Sequence, residues 1–250
     1  SMDEAAYVAA VSRVRERIAA GDVYQVNVCR TLSAPTRERD LVGLAGRLAA
    51  THPSRYPALV CLPSAGVHVC SASPELFLAR DAGTLETRPI KGTGRTASDL
   101  AVKDHAENVM IVDMARNDLG QVAVTGSVQV TGLCEVEDYP GLVQLVSTVR
   151  AHLRPGTGWP EIFAATFPPA SVSGAPKSSA LRIIAELEPL PRGPYCGTVG
   201  FIDSDRDEAV LAVTIRTFWL AGDELRFGTG AGITWGSRPE GEWAETQLQA

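Results

Sequence analysis

Three stretches in the last third of the chain, "YCGTVGFIDS", "EAVLAVTIRTFWLAG" and "ELRFGTGAGITW", follow one another as β-branched and aromatic runs separated by turns. The pattern also occurs earlier, where "ALVCLP", "VHVCSAS" and "LFLARD" lead through a tight turn into "TLETRPI". Strands so closely spaced leave no room for crossover helices, so they pair antiparallel as meanders. Helical periodicity fills the intervals. Residues 3–20 place Tyr7, Val8, Val11, Val14 and Ile18 at helical spacing and end at Gly21-Asp22. Further helices are read over 40–51, 100–119, 159–167 and 180–187, with a last one from Glu240. "VYQVNVCRTLSA" and "SVQVTGLCEVEDY" read as strands, and 141–154 as a mixture of strand and helix. The sum is an α+β fold of mostly antiparallel sheets with helices outside. With no repeat, low-complexity tract or linker, the economical organisation is one domain over 1–250.

Composition narrows the function classes. A net charge of −6 without any basic run argues against nucleic acid or an anionic membrane as the main partner. No segment stays apolar long enough to span a bilayer, and the start does not read as a signal peptide. The five cysteines are odd in number and scattered, which fits reduced thiols in a cytoplasmic protein. The four histidines form no zinc-ligand spacing.

Chemistry enters at a few places. Asp104/Glu107 and Glu242/Glu245 are acidic pairs three residues apart on predicted helices, so each pair points two carboxylates one way. Oxygen-only pairs of this kind suit magnesium. Solvated helix faces are the plain alternative, and spacing does not decide between them. "SVSGAPKSSA" (171–180) is a small-residue loop before a helix, readable as an ordinary connection or as an anion-binding loop. The glycines of "GTGAGITWG" (228–236) fit close backbone approach by a ligand better than a dinucleotide loop. Arg216 stands in the apolar run "VTIRT", which implies an ion pair or carboxylate binding. Lys91 lies inside "PIKGT", just after a predicted strand.

Taken together these segments resemble the chorismate-utilising enzymes, which include anthranilate synthase component I, aminodeoxychorismate synthase component I, isochorismate synthase and salicylate synthase. The matching stretches run in the family's order over nearly the whole chain. They are "GDVYQVNVCR", "SASPELFL", "ETRPIKGTGR", "DHAENVMIVDMARNDLG", "VQLVSTV", "FPPASVSGAPK", "YCGTVGF", "VTIRT" and "GAGITWGSRPEGEWAET". The resemblance implies a magnesium-dependent reaction on chorismate. Glu107 and Glu245 would ligate Mg²⁺, with Asp104 and Glu242 supporting through water. Tyr195, Arg216 and the backbone of Gly230, Ala231 and Gly232 would hold carboxylates, and Gln25 would also contact the substrate. Lys91, Glu75, Thr93 and Ser171 would form the catalytic set, with Thr93 and Ser171 along the ring.

The resemblance also ranks the family members. Water-using members carry a lysine base where this chain has Gln25, and a glutamate acid where it has Arg88. Water needs a base; neutral ammonia does not. Gln25 therefore points to amine transfer. Anthranilate synthases have alanine where Lys91 stands, and lysine there marks aminodeoxychorismate synthase. In the mechanism proposed for that branch, lysine attacks C2 as the C4 hydroxyl leaves, and ammonia then enters at C4. The lysine must be neutral, which burial and neighbouring Arg88 or Arg95 would favour. The expected activity is formation of 4-amino-4-deoxychorismate for p-aminobenzoate and folate, with ammonia from a glutamine amidotransferase subunit. Anthranilate synthase and a catalytically silent binding domain are the alternatives. The chain departs from the family at Gln144, where many relatives have histidine, and at Gln249, where lysine is usual. Residues 1–250 are expected to form the chorismate-binding catalytic domain, without the family's amino-terminal region.

Overall fold

The computed structural model describes residues 2–139 and 141–249. In chain order the main elements begin with α1 (Glu4–Ala19), β1 (Gln25–Pro35), α2 (Val42–Thr51), β2 (Tyr56–Leu62), β3 (Val67–Ser73), β4 (Leu76–Asp81), β5 (Thr84–Arg88) and β6 (Ile90–Gly94). They continue with α3 (Val102–Gly120), β7 (Gln129–Tyr139), β8 (Leu142–His152), α4 (Trp159–Thr166), β9 (Gly174–Ala175) and α5 (Lys177–Leu187). The last are β10 (Thr198–Asp203), β11 (Glu208–Val213), β12 (Thr217–Ala221), β13 (Glu224–Ile233) and α6 (Pro239–Leu248). Among the described residues no helix is long and apolar enough to cross a membrane.

Within the stretch read as one catalytic domain, contacts gather into two compact units. The first comprises Ser1–Ser73, Ser171–Gly197 and Thr214–Ala250; the second comprises Pro74–Ala170 and Thr198–Val213.

The first unit is built on an antiparallel sheet in the order β2-β3-β12-β13-β1-β9. Helices α1 and α5 and residues of β1 and β13 share one core, in which Tyr7, Val11, Val14, Val28, Ile183 and Ile233 are all buried. Removing such side chains from water contributes about 1.5–3 kcal/mol each. Asp3 starts α1 by accepting the Ala6 N–H at 2.9 Å. Tyr7 carries a polar tip into this core and satisfies it by donating to Val28 O at 3.1 Å.

The second unit holds an antiparallel sheet in the order β10-β11-β4-β5-β8-β6, with β7 also pairing β8. The mixed reading of 141–154 is corrected here: Leu142–His152 is one continuous strand. It has strand partners on both edges and its residues 143–149 are buried, so both faces lie inside, and Gln144, Ser147 and Thr148 fall among the apolar residues, which erases the period-2 signal. The second correction concerns "EAVLAVTIRTFWLAG". It breaks at 214–216 into β11 of one sheet and β12 of the other, with Arg216 at φ +49 in the break. Hydropathy alone cannot show that break, because strands on either side are equally apolar.

Candidate active site

The second unit places Lys91 on a kinked strand. β5 and β6 lie end to end against β8, parted at Pro89, whose carbonyl accepts the Ser147 N–H at 3.1 Å. Between Ile90↔Val146 and Thr93↔Gln144 the register slips by one residue on β6, which makes Lys91-Gly92 a β-bulge. Gly92 has φ +89, and a Cβ there would lie 2.8 Å from Asp104 Cβ. The glycine of "KGT" thus lets the bulge close on the start of α3. Lys91 is half-buried and makes no ion pair among the described residues. Thr93 is exposed and Glu75 is buried. Arg88 is ion-paired with Glu137, whose other oxygen accepts the Tyr139 hydroxyl at 2.7 Å. Its charge is therefore offset locally rather than directed at Lys91.

Helix α3 is held on β8 by polar side chains that the sequence reading passed over. Asn108 donates to Leu145 O at 2.9 Å and accepts from Ser147, whose hydroxyl in turn accepts the Cys134 N–H at 2.8 Å. This anchoring fixes the rotation of the helix and so the direction of Glu107. Asp104 accepts the Ala101 N–H at 2.8 Å and caps the helix with one oxygen. Glu107 Oε1 lies 3.3 Å from Lys103 Nζ, yet it is buried and takes no hydrogen bond. Gln144 is buried, and its Oε1 also lacks a hydrogen-bond partner.

In the first unit, Gln25 opens β1 at 1% exposure, with neither its amide nitrogen nor its oxygen hydrogen-bonded. Leaving such a group unsatisfied costs about 1–3 kcal/mol. Gly174 covers its backbone: a Cβ there would lie 2.2 Å from Gln25 O. Ser171 and Tyr195 are buried. The Tyr195 ring packs under Gly228, where a Cβ would come within 2.1 Å of Tyr195 Cγ. Burial, with the neighbouring Cys196 and Cys29 thiols adding to it, pushes the Tyr195 hydroxyl well above its ordinary range. Arg216 keeps solvent contact but is pulled below its ordinary value by desolvation. Its guanidinium makes no hydrogen bond or ion pair among the described residues.

The glycine-rich strand has one polar edge to offer. Asn27 and Cys29 turn their N–H groups away from β13, to Ser173 O at 2.8 Å and Glu188 Oε1 at 2.9 Å. Val26 and Val28 therefore face β13, and their register partners Ile233 and Ala231 answer them. Gly230 and Gly232 point to the other edge, where pairing with β12 stops at Phe227. Ala231, expected to lend backbone to a substrate, instead spends it within the sheet and its methyl in the core. On α6, Glu242 is buried and Glu245 exposed. Gln249 donates to Glu245 at 3.2 Å and accepts from Thr229 at 2.9 Å. The amide at the unusual position thus tethers the candidate ligand to β13.

Among the described residues no three His, Cys, Asp or Glu side chains gather closely enough to hold a metal ion. Carboxylates three apart on α3, one with an oxygen that is buried and not hydrogen-bonded, nevertheless suit magnesium, which takes few protein oxygens and keeps several waters.

The pattern of the family described as chorismate binding enzyme matches residues 1–250. The anthranilate synthase component 1 of Streptomyces coelicolor is 40% identical over 258 residues, covering 98% of this chain and 50% of the relative. Among solved structures, anthranilate synthase component I from Streptococcus pneumoniae superposes with a TM-score of 0.88 at 32% identity, covering 100% of this chain and 57% of that one. A putative 2,3-dihydroxybenzoate-specific isochorismate synthase from Bacillus anthracis gives 0.83 at 26%, covering 99% and 70%. The chain spans about half the length of the curated relative from Streptomyces coelicolor. It belongs to the family of chorismate binding enzymes.

Proposed function

We propose that this chain carries the chorismate-converting part of an ammonia-adding synthase, and that its product is 4-amino-4-deoxychorismate. The observation that carries the reading is Lys91, a half-buried amine without an ionic partner, set on a β-bulge beside Gln144 and the start of α3. In this reading the neutral Lys91 Nζ bonds to C2 of chorismate, the ring double bonds shift, the C4–O bond breaks, and the hydroxyl departs as water with the proton that the amine sheds. Ammonia then adds at C4, the shift reverses, and the lysine leaves with its electron pair, taking up the proton that the ammonia loses. Gln25 supports amine transfer over water addition, since an amide cannot take a proton from water at neutral pH. Arg216, Tyr195, Ser171 and the open edge at Gly230 and Gly232 hold and orient the dicarboxylate, with Thr93 and Glu75 beside the reacting ring.

Glu107 and Glu245, supported by Asp104 and Glu242, are the residues that would hold Mg²⁺. The ion would neutralise a ring carboxylate and the charge developing at the leaving hydroxyl. Ammonia would come from a glutamine amidotransferase subunit.

A second reading has its own support. The curated relatives at 37–40% identity carry the name anthranilate synthase component 1, which places nitrogen at C2. The two readings separate when chorismate, ammonium and Mg²⁺ are incubated with the protein and the products resolved. 4-Amino-4-deoxychorismate supports the first. Anthranilate alone rejects it in favour of the second, and chorismate binding without turnover rejects both.

A further inference from the structure

The segments bearing Gln25, Ser171 and Tyr195 come from distant parts of the sequence, and one side chain ties them together. Arg192 Nη1 donates to Val172 O at 2.7 Å, beside Ser171. Its Nη2 donates to Asn27 O at 2.7 Å, two residues from Gln25. Its own carbonyl accepts the Tyr195 N–H at 3.2 Å. Glu188 holds the guanidinium from one turn of chain away, with Nε to Oε2 at 2.8 Å and Nη2 to Oε1 at 2.6 Å. The same Oε1 accepts the Cys29 N–H at 2.9 Å. The pair is sequestered, with side-chain exposures of 16% for Arg192 and 6% for Glu188.

This guanidinium is committed. Its donors are directed at two carbonyls and one carboxylate, so it does not serve as an anion receptor in the way Arg216 can. The planar fork matters for the same reason, because a lysine ammonium is a single point that cannot reach three separated acceptors together. The contacts differ from ordinary surface ion pairing in being buried, charge-assisted and made to backbone that carries candidate substrate contacts.

We propose that Arg192, aligned by Glu188, is a positioning residue that sets the affinity for the dicarboxylate by fixing the Ser171 and Tyr195 loops against β1. This rests on the proposed function, since it takes Gln25, Ser171 and Tyr195 as substrate contacts. Arg192 touches no reacting atom. Contacts to non-reacting carboxylates hold substrate and transition state alike, so loosening them raises KM and leaves kcat nearly unchanged.

The test uses the full chain with Arg192→Lys, Arg192→Ala and Glu188→Gln, each assayed for chorismate KM, kcat and thermal midpoint. Glu188→Gln keeps an oxygen for the Cys29 N–H while removing the charge, and so guards against simple misfolding. The expected result is a KM raised roughly 10- to 100-fold with kcat held within about 3-fold. Added ethylguanidinium should restore part of the KM of Arg192→Ala and none of that of Arg192→Lys, whose ammonium blocks the slot. A fall in midpoint or kcat with KM unchanged in all three variants would show a structural tie only and overturn the proposal. A wild type that neither binds nor converts chorismate would remove the proposed function and this inference with it, an outcome visible before any variant is made.

Discussion

Replacing Gly92 by alanine tests whether the "KGT" glycine exists to let the lysine-bearing bulge close on α3. Two costs combine at this position. Its φ of +89 is a conformation that L residues occupy at a penalty of about 1–2 kcal/mol. The new methyl would also lie 2.8 Å from Asp104 Cβ and 3.2 Å from its Cγ, inside van der Waals distance. Overpacking of this kind costs about 1–3 kcal/mol. Gly83 is the matched control, with φ +77 in the same unit and nothing within 4 Å of where a Cβ would stand. Urea unfolding should therefore show Gly83→Ala losing roughly 1–2 kcal/mol and Gly92→Ala roughly 2–5. The difference isolates the contact with α3. Because the methyl pushes β6 away from α3, Lys91 chemistry should fall in Gly92→Ala and stay near wild type in Gly83→Ala. Equal stability losses in the two variants would refute the idea that Gly92 is needed for close approach.

Gln25→Met should stabilise the ligand-free protein by about 1–3 kcal/mol, since it removes a buried amide with no partner, while lowering chorismate turnover; a loss of stability would mean that the amide is satisfied in solution. Asn108→Ala should cost about 1–3 kcal/mol and raise hydrogen exchange along α3, because Leu145 O and Ser147 lose their partner. Burial pushes the Tyr7, Tyr195 and Cys29 protons up, so these groups stay neutral when folded while the unfolded chain ionises from about pH 8.5 for cysteine and 10 for tyrosine. Unfolding free energy should hold steady below that window and fall as pH rises through it, and a flat profile from pH 8 to 11 would contradict the burial of these groups. Arg30→Met should loosen α6, since Arg30 bonds Thr246 and Gln247 and stacks 4.2 Å over Trp243; proteolysis near residue 245 is the readout.

Much of this fold can be read from the sequence because local signals agree with tertiary ones. The Tyr7, Val11 and Val14 spacing forecasts the buried face of α1, and the apolar runs around turns forecast the antiparallel meanders. The reading fails where burial is two-sided or where a strand changes sheets. β8 is buried on both faces, with Gln144, Ser147 and Thr148 among its apolar residues, so its period-2 signal vanishes. The break at Arg216 is a backbone event inside an apolar run. For the candidate site, residue types were legible but their supports were not. Lys91, Gln25 and Arg216 stand out by identity, whereas Asn108, Glu188 and Arg192 act through contacts between residues up to 165 apart in sequence, which no local pattern encodes. Ala231 shows the opposite error: it sits in a glycine-rich run, and only register reveals that its polar groups face β1.

Amine transfer to C4 by way of Lys91 can be caught midway by intact-protein mass analysis after incubation with chorismate and Mg²⁺ in the strict absence of ammonia. Without the second nucleophile the lysine-bound ring has no amine to release it. Covalent participation of Lys91 gives a mass increase equal to chorismate less one water, mapped by peptide analysis to Lys91, absent from Lys91→Ala and chased off by ammonium as 4-amino-4-deoxychorismate. Efficient formation of 4-amino-4-deoxychorismate by Lys91→Ala, with no adduct on the wild-type chain, would contradict it.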